Sequence, residues 1–354
     1  MRTIWPARDA VQAIDQRALP HAVKTLPIAS ARDAAAAIAC MAVRGAPLIG
    51  VAAAYGLALQ ARADASDAAL ANAAAELKAA RPTAVNLAWA VDRMLDRLRP
   101  LAAGGRAGAA WDFAARLADD DVATNEAIGR HGLDLLRRLV PRDGKTLHLL
   151  THCNAGWLAT VDWGTALAPI YKAHAEGAKV HVWVDETRPR NQGAGLTAFE
   201  LREQGVPHTV IADNAGGHLM QHGRVDAVIV GCDRVTSCGD VANKIGTYLK
   251  ALAARDCGVP FYVAMPLATL DRSLDDGLTQ IPIEERAHRE VTHAVGRGPD
   301  GKTIEVQLVP DGSAAANPAF DVTPARLVTA LVTERGVVEA SAEAIAALEE
   351  TARD

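Results

Sequence analysis

A carboxylate at the end of an apolar run is the first feature of this sequence that points to chemistry. Residues 227–230 read AVIV, and Gly231, Cys232 and Asp233 follow directly. Burial raises the pKa of a carboxyl group and can keep it protonated near neutral pH, as a general acid requires. We therefore predict that Asp233 is a neutral acid at the tip of a buried strand.

A thiol ends an earlier apolar run in the same way. The segment LHLLTHCNAG, residues 147–156, places His152 and Cys153 at the end of a predicted strand. A thiol ahead of a glycine-containing turn can be a reactive cysteine. Because neighbouring residues in a strand point to opposite faces, we do not expect His152 and Cys153 to form a catalytic pair. A catalytic role of another kind stays open for Cys153.

Carboxylates also end the two predicted strands that lie between these runs in the sequence. Asp185 and Glu186 follow KVHVWV, and Asp213 follows HTVIA. Open α/β sheets bind ligands beyond the carboxyl ends of their strands, so four strands would deliver a thiol or a carboxylate to one edge. The alternative for each aspartate is a turn or helix cap.

Two arginines precede predicted helix starts. Arg44 and Gly45 lie in VRGAPLIG, and Arg81 comes before a proline in RPTAVN. Backbone amides at a helix N-terminus and a guanidinium can bind an anion together. The alternative is that each arginine is a solvated surface residue.

A third predicted anion site follows Asp233. Asp240 is expected to cap a helix whose first turn holds Asn243 and Lys244. A helix N-terminus next to an ammonium group can bind phosphate or a polyol. Together, the three sites favour a phosphorylated small molecule as the ligand.

The segment GAGLTA, residues 193–198, matches a dinucleotide-binding pattern, with Asp213 at the end of the next predicted strand. In that pattern the first glycine follows its strand directly. Here TRPRNQ intervenes, and it brings Arg188, Arg190 and Gln192 onto a long loop, where they are candidates to face a ligand. We therefore favour a site other than one for NAD.

The elements that position these residues fall into two groups. Residues 31–140 are rich in alanine and leucine at helical spacing, with a break expected over 99–108, whereas apolar runs of strand length alternate with helical segments from about residue 145. Such alternation is typical of a parallel sheet covered on both faces. We predict an α/β protein with a mainly helical N-terminal domain, 1–140, and a C-terminal Rossmann-like parallel-sheet domain, 141–354.

Composition excludes several classes of function. The 354 residues are enough for two domains, and the net charge of −5 argues against a nucleic-acid surface. The sequence has no apolar stretch of membrane-spanning length and no recognisable signal segment, so we expect a cytoplasmic protein. The five cysteines lack the spacing of a zinc site, and we predict neither a metal nor a disulfide framework.

Many ordered motifs give the chain a resemblance to a known family. They include IDQRALP (14–20), VRGAPLIGVAAAYG (43–56), THCNAG (151–156), ETRPRNQGAGLTAFEL (186–201) and GCDRV with GDVANKIGTY (231–248). The chain resembles the methylthioribose-1-phosphate isomerases nearly end to end. Their wider fold family includes the regulatory subunits of translation initiation factor 2B and the ribose-1,5-bisphosphate isomerases.

The resemblance implies an aldose–ketose isomerase that works as a homodimer on a small phosphorylated sugar without a cofactor. It implies that Asp233 is the general acid/base and that Cys153 is the second catalytic residue. The implied substrate-binding residues are Arg44, Gly45, Ala46, Arg81, Gln192, Asn243 and Lys244.

The sequence departs from the family pattern at a few positions, which leaves the 5-substituent of the sugar open. Asn191 replaces a bulky residue, Gly195 replaces a long side chain, and Cys232 and Cys238 replace small or polar residues. A 5-deoxyribose 1-phosphate and ribose 1,5-bisphosphate are alternative substrates. A regulatory binding protein of the same fold is the alternative of another class.

The implied reaction opens a sugar ring whose O1 carries phosphate. A protonated Asp233 would donate to the ring oxygen. Hydrogen would then move from C2 to C1, either as a proton removed by a Cys153 thiolate or as a hydride that shifts within a dry pocket.

Overall fold

The computed structural model describes residues 1–8, 10–82, 84–140 and 144–350. Helices dominate before residue 140, and strands alternate with helices after residue 144. The predicted combination of a mainly helical N-terminal part with a Rossmann-like parallel sheet is confirmed. The boundary after residue 140 stays a prediction, and it adjoins residues 141–143, which lie outside the described residues.

The N-terminal part begins with a small antiparallel sheet of order β1-β2-β3, which the sequence analysis did not predict. Five helices follow it. The elements are β1 (Ile4–Pro6), β2 (Val11–Ile14), β3 (Thr25–Ile28), α1 (Ala31–Ala39), α2 (Ala46–Ala63), α3 (Asp67–Ala80), α4 (Val85–Leu98) and α5 (Ala103–Leu139).

Helix α5 corrects one expectation. It begins at Ala103, so the predicted break over residues 99–108 extends too far. Each glycine in a helix interior costs about 1 kcal/mol relative to alanine. The helix packs against α2 and α6, and its buried face, which includes Ala110, Ala114 and Ile128, outweighs that cost.

The C-terminal part is built around a seven-stranded sheet. Its strands and those of the smaller sheets are β4 (Leu147–Thr151), β5 (Val180–Asp185), β6 (His208–Ile211), β7 (Ala227–Val230), β8 (Arg234–Thr236), β9 (Val241–Lys244), β10 (Phe261–Ala264), β11 (Leu270–Asp271), β12 (His293–Arg297), β13 (Thr303–Gln307), β14 (Phe320–Thr323), β15 (Ala330–Thr333) and β16 (Gly336–Val338). The helices are α6 (Ala168–Ala175), α7 (Ala198–Glu203), α8 (Ala215–Gln221), α9 (Thr247–Asp256), α10 (Gly277–Gln280), α11 (Arg289–Thr292) and α12 (Ala342–Glu350).

The order of the large sheet, β16-β15-β10-β7-β4-β5-β6, explains where a site can form. All neighbouring strands are parallel except β16, which is antiparallel to β15. The chain runs from β4 through β5 to β6 at one edge and then returns to β7 beside β4. The carboxyl ends of β4 and β7 therefore flank a topological switch point, where α/β sheets form a ligand crevice.

Alternating side chains of the sheet supply two apolar cores. Ile229 belongs to the core that also contains Ile128 and Leu136 of α5, whereas Val228 and Val230 belong to the core that contains residues of α8, α9 and α12. Both faces of the sheet are thus covered, as the continuous apolar runs predicted. In the described part of the chain, no helix combines the length and the apolar character needed to cross a membrane.

Two smaller sheets complete the fold. The first has the order β11-β8-β9-β14, and its strand β8 begins directly after Asp233. The second is the antiparallel hairpin of β12 and β13. The strands of both sheets lie between β7 and β15 in the sequence, within residues 234–323. Within that stretch, β10 belongs to the large sheet.

Candidate active site

Cys153 and Asp233 line the same small cavity beyond the switch point. The cavity, of about 40 Å³, is called the inner cavity below, and it is also lined by Arg44, Gly45, Ala46 and Asn243. Six of the nine predicted site residues therefore meet around one space. Their shared location follows from strand order, because Cys153 lies just past β4 and Asp233 lies just past β7.

The backbone at Cys153 is held in an unusual conformation. Its φ angle is 67°, in the left-handed region that residues other than glycine rarely adopt. Its N–H donates to Thr187 Oγ1 at 2.8 Å, and its carbonyl oxygen accepts from Thr197 Oγ1 at 2.6 Å. Thr187, in the loop after β5, and Thr197, just before α7, therefore fix the turn that carries the thiol. A strained backbone conformation persists only where surrounding contacts hold it in this way.

The Cys153 thiol is buried beside two cations. Burial raises its pKa, while the charges of Arg44 and Lys244 act in the opposite direction and are outweighed. The resting form at neutral pH is therefore the thiol rather than the thiolate. Its sulfur lies 3.7 Å from Gln192 Oε1 and can donate to it, so this predicted sugar-binding residue contacts the thiol directly.

Burial also raises the pKa of the Asp233 carboxyl group, as the sequence predicted. Lys244, Arg81 and Arg44 oppose this shift, and the desolvation of the carboxylate outweighs them. The residue is half-buried, and it lines both the inner cavity and a second small cavity. The carboxyl group can thus be protonated above the usual pH range of an aspartate and can donate to a ligand atom.

Arg44 connects the N-terminal helices to the Cys153 turn. Its Nη1 donates to Asn154 Oδ1 at 2.5 Å, and its Nη2 donates to the Asn154 carbonyl oxygen at 2.9 Å. The guanidinium is buried and borders both the inner cavity and a larger neighbouring one. Because a guanidinium has five N–H groups, the others can donate to a bound anion.

Helix α2 points its N-terminus at the inner cavity. Gly45 precedes the helix and offers no side-chain cap, so its first amides stay available to an anion. Gly45 has φ 102°, and a Cβ there would lie 2.2 Å from the Ala159 carbonyl oxygen. Only glycine therefore allows the start of α2 to reach the cavity.

We expect Gly45→Ala to destabilise the protein by at least about 1–3 kcal/mol, because both the conformation and the contact with Ala159 are incompatible with a side chain. The matched control is Gly105→Ala in helix α5, where an added Cβ meets no atom within 4 Å. That control should be neutral or stabilising by up to about 1 kcal/mol. Urea unfolding of the two variants checks the difference, and equal stabilities would contradict it.

The prediction for Asn243 and Lys244 is wrong in its local structure. Both belong to strand β9 rather than to the first turn of a helix, and the next helix begins at Thr247. Asp240 instead accepts from the backbone N–H groups of Gly277 and Ala325. The strand forms because β9 pairs with β14, a segment about 75 residues away that local helix propensity cannot anticipate.

The two side chains still reach the site from β9. Asn243 lines the inner cavity, and its Nδ2 donates to Thr247 Oγ1 at 3.0 Å. The Lys244 ammonium is buried, donates to the Ala319 carbonyl oxygen at 2.9 Å and lies 4.8 Å from the Phe320 ring centre. Its charge acts on both Cys153 and Asp233.

Arg81 lies next to the inner cavity. It lines a separate small cavity together with Asp233 and Ala46, and its Nη2 is 3.2 Å from Glu284 Oε2. Arg81 Nε is buried without a hydrogen-bond partner in the described residues. The guanidinium is therefore placed to act on Asp233, while its contact with a ligand stays a prediction.

The other two strand-end aspartates serve the fold. Asp185 Oδ2 accepts from His152 Nδ1 at 2.9 Å and lies 3.1 Å from the Lys250 ammonium. Asp213 accepts from the backbone N–H groups of Thr187 and Arg188. Of the four strand-end groups, Cys153 and Asp233 line the inner cavity, whereas Asp185 and Asp213 do not. That Cys153 and Asp233 act on a ligand stays a prediction.

Two alternatives from the sequence, a catalytic pair of His152 with Cys153 and a dinucleotide-binding loop at GAGLTA, are not supported by the local geometry. The two ring nitrogens of His152 bond Asp185 and the Ile245 carbonyl oxygen, as expected for a histidine that does not pair with Cys153. His152, Asp185 and Asp213 lie close enough to bind a cation, but the Lys250 ammonium already lies against this group. Seven loop residues separate the end of β5 from Gly193, where GAGLTA begins a π-helical turn, whereas the first glycine of a dinucleotide loop follows its strand directly.

A larger cavity of about 460 Å³, called the outer cavity below, adjoins the inner one through Arg44. It is lined by Gln192 and by the two unusual positions Asn191 and Gly195. Apolar side chains also contribute to its wall, namely Leu19, Pro20, Met41 and Leu196. The outer cavity can therefore accept an apolar group from a ligand whose polar part lies in the inner one.

Sequence reasoning missed two buried polar residues behind the site. Asn154 follows Cys153 in THCNAG, and Glu200 is the next-to-last residue of the motif ETRPRNQGAGLTAFEL. They contact each other, with Asn154 Nδ2 donating to Glu200 Oε1 at 2.8 Å. Glu200 is in a helical, apolar segment, and that placement is a signal that a charged residue there is buried and paired.

Comparisons with known proteins support the same family as the motifs. The model of the initiation factor 2 subunit family matches residues 42–340. The methylthioribose-1-phosphate isomerase of Methylorubrum populi is 62% identical over 349 residues, which cover 98% of this chain and 96% of that protein.

Two crystal structures show the same fold over almost the whole chain. The 5-methylthioribose 1-phosphate isomerase from Pyrococcus horikoshii OT3 has a TM-score of 0.87 and 39% identity, covering 99% of this chain and 96% of its own. The translation initiation factor eIF-2B subunit delta from A. fulgidus has a TM-score of 0.79 and 40% identity, covering 96% of each chain. The resemblance drawn from the motifs is therefore confirmed: the chain belongs to the initiation factor 2 subunit family and, within it, to the methylthioribose-1-phosphate isomerases.

Proposed function

We propose that this chain is an aldose–ketose isomerase that converts 5-methylthio-α-D-ribose 1-phosphate to 5-methylthio-D-ribulose 1-phosphate, a step of methionine salvage. The observation that carries the proposal is the inner cavity, where an acid and a buried thiol meet at a helix N-terminus, within reach of the charges of Arg44, Arg81 and Lys244. That combination fits a phosphorylated sugar whose ring must be opened by an acid.

Asp233 acts as the acid in this proposal. In the substrate, O1 carries phosphate, so the C1–O bond to the ring oxygen cannot open through a free hydroxyl. A protonated Asp233 donates its proton to the ring oxygen as that bond breaks. Because burial raises the pKa of Asp233, the proton is available at higher pH than from an ordinary aspartate.

The cations and helix α2 hold the phosphate. Arg44 and the amides at the start of α2 border the inner cavity, and Lys244 and Arg81 place positive charge near it. Asn243 and Gln192 contact the sugar hydroxyls. These groups favour a dianion, and they fix C1 and C2 near the acid and the thiol.

Hydrogen then moves from C2 to C1 while the C2 hydroxyl becomes a carbonyl. Burial raises the pKa of Cys153, so only a small fraction is thiolate at neutral pH. We therefore favour a hydride shift from C2 to the electron-poor C1, with Cys153 stabilising the positive charge. The Asp233 carboxylate, which has given its proton to the ring oxygen, takes up the C2 hydroxyl proton as the carbonyl forms, and a water-poor cavity protects the cationic species.

A reaction run in D₂O separates the two routes. We expect almost no deuterium at C1 of the ketose, because a hydride shift keeps the substrate hydrogen. The control is the purified product incubated with the protein in D₂O, which measures exchange after the reaction. Deuterium at C1 in most of the first-formed product would show that a base removes the C2 proton.

The 5-substituent is expected to lie in the outer cavity. Leu19, Met41 and Leu196 suit a methylthio group, whereas Arg190 and Arg289 in the same wall already face Glu290 and Glu305. An apolar 5-substituent is thus favoured over a 5-phosphate. Because an added Cβ at Gly195 would meet only Pro20, at 3.7 Å, this wall is open, and 5-deoxyribose 1-phosphate is our second candidate substrate.

A panel of three compounds tests the proposal. The purified protein is mixed with methylthioribose 1-phosphate, 5-deoxyribose 1-phosphate and ribose 1,5-bisphosphate, and ketose formation is followed by NMR. We expect ketose from the first, a slower reaction with the second, and none with the third. Tight binding of all three without ketose would instead support a regulatory binding protein.

We also propose that the protein is a cytoplasmic homodimer. Exposed apolar side chains on one face of strand β13, Ile304 and Val306, support burial against a second copy. The five cysteines are all free thiols, which suits a reducing compartment. Light scattering of the purified protein should give twice the chain mass of 37.2 kDa.

A further inference from the structure

A carboxyl group that the proposed reaction does not use lies directly behind the Cys153 turn. Glu200, in α7, is fully buried and accepts four hydrogen bonds. Its donors are Asn154 Nδ2 at 2.8 Å, the Trp157 N–H at 2.7 Å, the Leu158 N–H at 3.1 Å and the Tyr171 hydroxyl at 2.8 Å. Such a set suits an ionised carboxylate, which accepts on both oxygens and donates to none.

The turn is built around this carboxylate. A Cβ on Gly156 would lie 2.0 Å from Glu200 Oε2, so the glycine of THCNAG makes room for the acid. Burial raises the pKa of Glu200 to about 7, and the hydrogen bonds from Asn154, Tyr171 and the turn oppose that shift. Keeping a carboxylate here is costly in free energy.

The amide of Asn154 provides the link to the active site. Its Nδ2 donates to Glu200 Oε1 at 2.8 Å and lies 3.2 Å from Thr197 Oγ1. The amide oxygen therefore faces Arg44 and accepts from Nη1 at 2.5 Å. With the amide turned over, its NH₂ group would face the Arg44 donors, and no hydrogen bond could form.

We propose that Glu200 is a positioning residue for Arg44, because its carboxylate fixes the Asn154 amide with the oxygen toward the guanidinium. Arg44 then stays at the boundary between the inner and outer cavities. There it meets the substrate phosphate, and its positive charge stabilises negative charge on the Cys153 sulfur. The first of these two effects rests on the proposed function, and the second does not.

A double-mutant cycle tests the link. Glu200→Gln is measured alone and in the Arg44→Met background, with kcat and KM determined separately for methylthioribose 1-phosphate. A hydrogen bond to a charged group is worth enough to change binding by about tenfold or more. We expect Glu200→Gln to raise KM at least about tenfold when Arg44 is present and less than about threefold when it is not. Equal factors in both backgrounds would overturn the proposal, as would no effect in either.

Tyr171→Phe is the matched control. It also removes a 2.8 Å hydrogen bond from Glu200, on the oxygen that does not face Asn154. A role of Glu200 in stability alone predicts similar activities for Tyr171→Phe and Glu200→Gln. Our proposal predicts that Tyr171→Phe keeps KM within about threefold of the native value. If Glu200→Gln does not fold, Glu200→Asp replaces it, and failure of both to fold would overturn the proposal in favour of a purely structural role.

Alkylation of Cys153 by iodoacetamide keeps this test separate from the proposed function. The charged groups acting on the thiol are Arg44, Lys244 and Asp233. Displacing Arg44 should therefore move the pH of half-maximal alkylation upward in Glu200→Gln but not in Tyr171→Phe, as read by mass spectrometry of the Cys153 peptide. A protein with no isomerase activity but with this shift would refute the proposed function only, whereas an active protein without the shift would refute the role of Glu200.

Discussion

Replacing Asp233 by asparagine is expected to lower turnover by at least about 10², because a positioned general acid contributes about 10²–10⁴. The amide has nearly the same shape but cannot release a proton to the ring oxygen. Steady-state kinetics with methylthioribose 1-phosphate and a circular dichroism spectrum measure the loss and the fold together. A variant with near-native turnover would remove Asp233 from the mechanism.

Asp226→Asn is the control for that experiment. Asp226 comes just before the same strand, β7, and so lies at the end of that strand opposite to Asp233. Its carboxylate accepts from the His148 N–H at 2.7 Å. We expect its turnover to stay within about twofold of the native value.

The pH profile adds a second test of Asp233. Since its protonated form is the active one and its pKa is raised, activity should fall as pH rises through that pKa.

The second large effect is expected at Cys153. Cys153→Ala should lower turnover by about 10² or more, because it removes the polarisable group beside the reacting carbons. Cys153→Ser distinguishes the two hydrogen-transfer routes. If the thiol only stabilises positive charge, the serine oxygen substitutes for it, and we expect a loss of about tenfold or less. A loss as large as that of alanine would favour a thiolate base.

Cys257→Ala is the matched control for these variants. Cys257 ends helix α9, and its side chain packs at the edge of the core between that helix and the sheet. It should leave turnover unchanged and alter only the melting temperature. Equal turnover in Cys153→Ala and Cys257→Ala would contradict a catalytic role for the thiol.

The sequence revealed β4, β5, β6 and β7 of the large sheet because their apolar runs are continuous and end in polar residues. Strands β15 and β16 of the same sheet were not predicted. The sequence could not show which ends meet, because strand order is a property of the whole chain. Asp185, Asp213 and Asp233 follow similar runs, but only Asp233 follows a strand at the switch point.

Long-range pairing explains the main error. The segment after Asp240 leads directly into helix α9, yet Asn243 and Lys244 pair with Asp321 and Phe320 in a sheet. The N-terminal strands β1, β2 and β3 were missed because three or four residues are too few to show alternation. Both cases depend on contacts that only the folded chain creates.

Residue type and position in the sequence singled out the candidate reacting groups but not the residues that support them. The thiol of Cys153, the carboxyl group of Asp233 and the guanidinium of Arg44 are reactive or charged groups that can be read directly from the sequence. Asn154 and Glu200 look like ordinary polar residues until folding places an amide between a carboxylate and a guanidinium. Their role depends on the orientation of one amide group, which no local pattern encodes.

The strand order of the large sheet has a consequence for how this architecture evolves. Where connections leave two adjacent strands in opposite directions, the backbone itself opens a gap, whatever side chains surround it. Side chains at the rim of that gap can then be exchanged without rebuilding the scaffold. Close similarity of this chain both to an isomerase and to an initiation factor subunit is what such a scaffold would produce.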